Sequence, residues 1–163
     1  MAILKIIKHP SSILTTPCKE VTVFDDELGV LLDNMHETMI EHDGVGIAAP
    51  QVGKSIRVAI VDFDEGQDII EMINPVVTAT GGSEVEVEGC LSFPGLFGEV
   101  ERPFHVRIEA QERNGKLYEL EAEGYEARAI LHEIDHLNGV LFDKKIQRVV
   151  DPSEFEDEEE DDE

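Results

Sequence analysis

Residues 132–136 read His-Glu-Ile-Asp-His, inside a helical stretch from about Tyr125 to Leu137 that Asn138-Gly139 brings to a stop. On a helix, His132 and His136 stand about 40° apart around the axis and one turn apart along it. Two imidazoles so placed converge on one cation. Glu133 sits about 100° from His132, close enough to act on a water held by that cation without being a ligand. Asp135 points off the histidine face and is expected to be a hydrogen-bonding brace. Two histidines on a helix face can equally be plain core or surface residues, so a metal site needs a third ligand.

Upstream, Cys90 is the candidate. It follows Gly89 near the end of an alternating segment, Glu84 to Ser92, with Val85, Val87, Gly89 and Leu91 on one side and Glu84, Glu86, Glu88 and Cys90 on the other. A cysteine with two histidines leaves a tetrahedral metal one open position, the pattern of a catalytic site. One thiolate and two neutral imidazoles also leave a divalent ion a residual positive charge with which to polarise a water. The residue pattern weighs this reading evenly against Cys90 as a small buried hydrophobe.

Further out, a helix is predicted from Asp25 or Asp26, a good N-cap, to about His42, with Leu28, Leu31, Leu32, Met35 and Met39 on one face and Gly44 as its stop. The run GVGIAAPQVG, residues 44–53, is too glycine-rich and too small in side chain for a packing helix. Strands are expected over Ser55–Phe63 and Ile69–Thr78, joined by a turn at Gly66 and interrupted near Pro75. Gly81-Gly82 marks another turn. His105–Glu112 and Lys116–Glu121 form a hairpin about Asn114-Gly115. Residues 1–24 read as an irregular arm. The fold class is α+β, with antiparallel β-sheet segments packed around a central helix that carries the HExxH motif.

The 163 residues suit one domain, read as residues 1–148 with an acidic tail at 149–163. Of the net charge of −24, ten negative charges lie from Asp151 onward, leaving −14 on the rest. Such a tail is expected to be disordered and solvated, with docking to a basic partner as the alternative. A body this acidic repels phosphate and argues against broad nucleic-acid binding. Two cysteines, Cys18 and Cys90, make no disulfide framework, and no stretch approaches the length of a membrane span. Lys5, Lys8 and Pro10 interrupt the apolar start before a signal sequence forms. A reduced, cytoplasmic setting is expected.

Three segments, GVGIAAPQ at 44–51, EGCLS at 88–92 and HEIDH at 132–136 continuing as LNG, resemble the signature motifs of peptide deformylases in order and separation. The resemblance spans roughly residues 1–148. It implies a metal-dependent hydrolase of the bacterial cytoplasm that removes the N-formyl group from the N-terminal methionine of newly synthesised proteins, releasing formate. It further implies that Cys90, His132 and His136 hold the metal and that Glu133 is the general acid and base. The Gln51 amide and the Leu91 backbone N–H would stabilise the oxyanion. Gly44, Gly46 and Gly89 would offer backbone to an extended peptide. Val45, Tyr125, Arg128 and Ala129 match positions near the methionine pocket; Arg128 and Ala129 also share the helix face of His132. The implied physiological metal is iron(II), with zinc, nickel or cobalt also suited to the ligand set. Glu88 and Arg102 resemble a pair that braces the ligand loop, with a plain surface pair as the equal alternative.

Other readings give different expectations. A zinc endopeptidase would normally draw its third ligand from downstream of His136, where no histidine follows. A cysteine hydrolase would need a group orienting its histidine. A binding module would have no reason to keep Glu133 and Gln51. His9, His36, His42 and His105 are read as structural or exposed, and Cys18 as a packing residue. Some members of the family extend into a basic helix that contacts the ribosome. This chain ends in acid, so a charge-driven contact through residues 151–163 is not expected, and any ribosome contact would be transient and elsewhere.

Overall fold

A computed structural model describes residues 3–63 and 69–151. The predicted turn at Gly66 and the tail beyond Asp151 lie outside these residues. The first helix, α1 (Asp26–Glu41), starts where its cap predicts: the Asp25 carboxylate accepts a hydrogen bond from the Leu28 N–H at 3.1 Å. Asp26 and Glu27 complement the positive end of the helix. Leu28, Leu32, Met35 and Met39 recur on its buried face and pack on Ile47, Val58, Ile60 and Ile73 of the neighbouring strands.

Those strands belong to a five-stranded antiparallel sheet. In spatial order it runs β1 (Gly46–Ala48), β2 (Val58–Asp62), β3 (Ile69–Gly81), β6 (His105–Gln111) and β7 (Leu117–Glu123). A second sheet has three strands, β4 (Glu84–Cys90), β5 (Phe93–Arg102) and β8 (Ile146–Val150), also antiparallel. The second helix, α2 (Gly124–Leu137), carries the His-Glu-Ile-Asp-His run. From Ala127 to Leu137 every residue but Asp135 is buried. That is the signature of a central helix, covered on all sides.

Some expectations need correction. Strand β3 does not stop at Thr78 but continues through Pro75 to Gly81. A register shift between Ile73 and Val76, with Asn74 at φ 52, absorbs the proline, which has no N–H to give the ladder. Strand β5 falls where no strand was expected, because Pro94, Gly95 and Gly98 suggest a loop. Gly98 instead lets β8 pass close by, since a Cβ at that position would lie 2.5 Å from Ile146. Val149 and Val150, assigned to the tail, are residues of β8. The N-terminal arm is tied down, with Leu14 fully buried and Ile6 nearly so.

Candidate metal centre

The ligand atoms of Cys90, His132 and His136 all lie within 4.8 Å of one another. Helix α2 supplies the histidines at their one-turn spacing. Cys90 arrives from β4, where a register shift between Gly89 and Cys90 turns the chain into β5. Phe142 packs beside His132 with ring centroids 5.7 Å apart, and Phe93 packs on Phe142 at 5.3 Å, giving the centre an apolar floor.

His132 Nδ1 lies 2.8 Å from a Glu88 carboxylate oxygen, which leaves Nε2 available for a cation. Glu88 is buried and takes further hydrogen bonds from Arg102, at 2.5 and 2.9 Å, and from Arg128 at 2.7 Å. Burial would raise its pKa, but hydrogen bonds with His132 and Arg102 outweigh that and hold it at about 2. Arg102 reaches onward to Asp135 at 2.8 Å. The expected pairing of Glu88 with Arg102 is thus in place, with Asp135 as a brace on it.

Burial opposes a proton on His132, yet hydrogen bonds with Cys90 and Glu88 raise its pKa to about 10. Burial, then His132 and Arg102, push His136 well below its ordinary value. A site lined by a thiol and carboxylates attracts positive charge, and a divalent cation satisfies that attraction with both imidazoles neutral. The donor set fits a zinc-like or iron-like ion. Cys90 Sγ also lies 3.3 Å from His136 Nε2, a contact that would suit a thiol nucleophile. His136 Nδ1, however, has no orienting partner among the described residues, as a thiol–imidazole pair would require.

Glu133 is buried, and its Oε1 has no hydrogen-bond partner among the described residues. Burial pushes its carboxyl up to about 7, against the pull of His132 and Arg102. Gly46 of β1 makes room for it: a Cβ there would stand 2.6 Å from Glu133 Oε2. Gln51 is oriented from both ends. Its Oε1 accepts from the Ala48 N–H at 2.9 Å, so Nε2 must face Ser92 Oγ, at 3.2 Å, and Cys90 Sγ, at 3.7 Å.

Of the site residues picked from sequence, all but His136 line one cavity of about 750 Å³. Gly44, Val45 and Gly46 contribute from the start of β1, Gln51 from the short 3-10 turn after it, Gly89 and Cys90 from the end of β4 with Leu91 just beyond, and Tyr125, Arg128, Ala129, His132 and Glu133 from α2. Arg128 contributes differently from its expected place beside a methionine side chain, because its guanidinium is spent on Glu88 and on the carbonyls of Val100 and Glu84.

Sequence reasoning missed Ile6 and Lys8 of the arm and Phe93, Leu96 and Phe97 of β5, which complete the walls. It also missed Ser92, fully buried, whose hydroxyl donates to the Ile7 carbonyl at 2.7 Å and straps the arm to the centre. Gly89 makes room for one of them, since a Cβ there would meet the Phe97 ring at 2.8 Å. His36, read as structural, pairs with buried Asp62 at 2.8 Å.

The family model described as polypeptide deformylase matches residues 3–151. The chain is 56% identical over 156 residues to peptide deformylase 1 of Bacillus cereus, covering 96% of this chain and 100% of the relative. It is 46% identical to peptide deformylase 1 of Bacillus subtilis, covering 96% and 98%. Among solved structures, the peptide deformylase from Legionella pneumophila superimposes with a TM-score of 0.87 at 38% identity, covering 89% of this chain and 86% of that one. The enzyme from Thermotoga maritima gives 0.86 at 42%, covering 89% and 98%.

Proposed function

The chain belongs to the polypeptide deformylase family, and on that premise we propose how its residues divide the work of removing the N-formyl group from the N-terminal methionine of new proteins. Cys90, His132 and His136 hold one divalent cation, and the observation that carries this is their convergence within 4.8 Å, with Cys90 and His132 lining the cavity and His136 just behind them. Bound there, the cation polarises water and the formyl carbonyl.

Glu133 accepts a proton from the attacking water and delivers it to the leaving nitrogen, giving formate and a free amine. Its support is positional: a buried carboxylate, unpartnered at Oε1, one residue from His132 and lining the same cavity. The Gln51 Nε2–H and the Leu91 N–H donate to the formyl oxygen as charge gathers on it. Gln51 needs little reorganisation, since its amide is already turned toward Cys90. Strand β1 lies at the edge of its sheet, so the backbone of residues 44–46 is placed to pair with an extended peptide. Gly89 offers backbone from the opposite wall. Val45, Tyr125 and Ala129 border the methionine side chain, together with the stem of Arg128.

The physiological cation is iron(II), with zinc, nickel or cobalt able to occupy the same ligands. The setting is the bacterial cytoplasm, where nascent chains carry the formyl group. No helix among the described residues is long and apolar enough to cross a membrane. The catalytic domain takes in β8, and the acidic segment that follows is an appendage to it.

The test is formate release from formyl-Met-Ala-Ser by protein purified without oxygen and assayed for bound metal. Glu133→Ala should lose activity on the order of 10²–10⁴-fold while its metal stays bound. Folded wild type that releases no formate with any divalent metal would overturn the reading.

A further inference from the structure

We propose that Arg128 is a positioning residue for the metal centre, orienting His132 through Glu88 and holding the Cys90-bearing strand against the histidine helix. The inference rests on the metal-centre reading above.

Each oxygen of Glu88 is held by two donors. Oε1 faces His132 Nδ1 at 2.8 Å and Arg102 Nη2 at 2.9 Å. Oε2 takes Arg102 Nε at 2.5 Å and Arg128 Nη1 at 2.7 Å. With four donors the carboxylate has one orientation, and that orientation fixes the His132 ring. Without Arg128, Oε2 keeps a single donor and the carboxylate is positioned by the Arg102 fork and His132 alone.

The charges give a second argument. The largely buried cluster of Glu88, Asp135, Arg102 and Arg128 also takes in the part-exposed Lys145, whose Nζ lies 3.5 Å from Asp135. Removing Arg128 takes one of the two guanidinium groups from Glu88, where desolvation makes an under-compensated carboxylate costly. A less compensated Glu88 also makes the imidazole a stronger electron donor and the cation it binds a weaker acid.

Arg128 Nη1 also donates to the Val100 carbonyl on β5 at 2.8 Å, and Nη2 to the Glu84 carbonyl on β4 at 2.7 Å. Strand β4 ends at Cys90, and α2 carries His132 and His136. One side chain thus ties the strand holding the sulfur ligand to the helix holding the nitrogen ligands. Arg128 itself is 4% exposed and its polar atoms are turned into the protein, so a substrate meets mainly its stem.

The experiment compares wild type, Arg128→Met and Arg128→Lys for zinc affinity by chelator competition, the visible spectrum of cobalt(II)-loaded protein, and KM and kcat on formyl-Met-Ala-Ser. Circular dichroism checks the fold of each. Arg128→Met keeps the stem and loses the charge; it should bind zinc about 10–100-fold more weakly. Its cobalt spectrum should shift and its kcat fall, with KM within about twofold of wild type. Arg128→Lys restores the charge but not the fork of donors, and its zinc affinity should lie between the two. Should the Met variant not fold, the Lys variant decides by the same criterion. Wild-type zinc affinity in the folded variants, with or without a raised KM, overturns the proposal; a raised KM would return Arg128 to the methionine pocket. Wild type without formate release would defeat the activity reading, while the zinc competition would still judge Arg128.

Discussion

Glu88 and Glu133 are both buried carboxylates beside His132, and the protein treats them in opposite ways. Glu88 lies on the scaffold side, with two arginines and an imidazole donating to its two oxygens. Glu133 lies on the cavity side, with Oε1 unpartnered and the glycine backbone of β1 close against Oε2. One carboxyl is held at about 2 and the other pushed up to about 7. Burial raises both; at Glu88 the donors outweigh it, and at Glu133 they do not. A carboxylate surrounded by donors is structural; one left without them can exchange a proton with something that enters the cavity.

The contrast is easiest to break at Glu88. Glu88→Ala strands two buried arginines and should cost about 3–5 kcal/mol, lowering Tm on the order of 10 °C; a melting curve within about 2 °C of wild type would show that the cluster carries no such role. Gly46→Ala probes the other side. The new methyl must displace the Glu133 carboxylate, so formate release should fall about 10–10²-fold, with stability within about 1 kcal/mol by urea unfolding. A wild-type rate would mean that Glu133 works from more than one position. Glu133→Gln, read as the urea midpoint of metal-loaded protein, should change stability by less than about 1 kcal/mol, because no donor network is lost; a loss near that of Glu88→Ala would erase the distinction. Smallest of all, truncation after Asp151 should leave formate release from a short formyl-peptide within about twofold of wild type, since the segment removed contains none of the residues proposed to act. A large loss would place part of the machinery in the acidic tail.

Legibility followed the same divide. Helix α1 was readable because capping and apolar spacing are local, and both hold. The candidate metal cluster was legible in part: the one-turn spacing of His132 and His136 is a local pattern, while Cys90 was an even choice until the family resemblance favoured it. Strand β4 is the counter-case. Its period is that of a strand, but Val85 and Val87 are 45% and 36% exposed while Glu88 is 7% exposed. Hydropathy would have turned the strand over; the charge partners from β5 and α2 hold it the other way. Arg128 lines the cavity that its helix face suggested, but its hydrogen-bond partners were not legible, since they lie on strands 28 and 44 residues away in sequence. Strand β5 was lost because a glycine that admits Ile146, Gly98, looks in sequence like the glycine of a loop.

The sequence by itself determined the α+β class, the first helix and the His-Glu-Ile-Asp-His helix, because each depends on neighbours a few residues apart. Only the tertiary structure decided which carboxylate would be held and which left unpartnered. That outcome depends on which donors the fold brings together, and Arg102, Arg128 and Glu88 meet across 14 and 40 residues of chain. Burial energies at such a meeting exceed any local preference, so the fold and not the spacing sets the chemistry of the site.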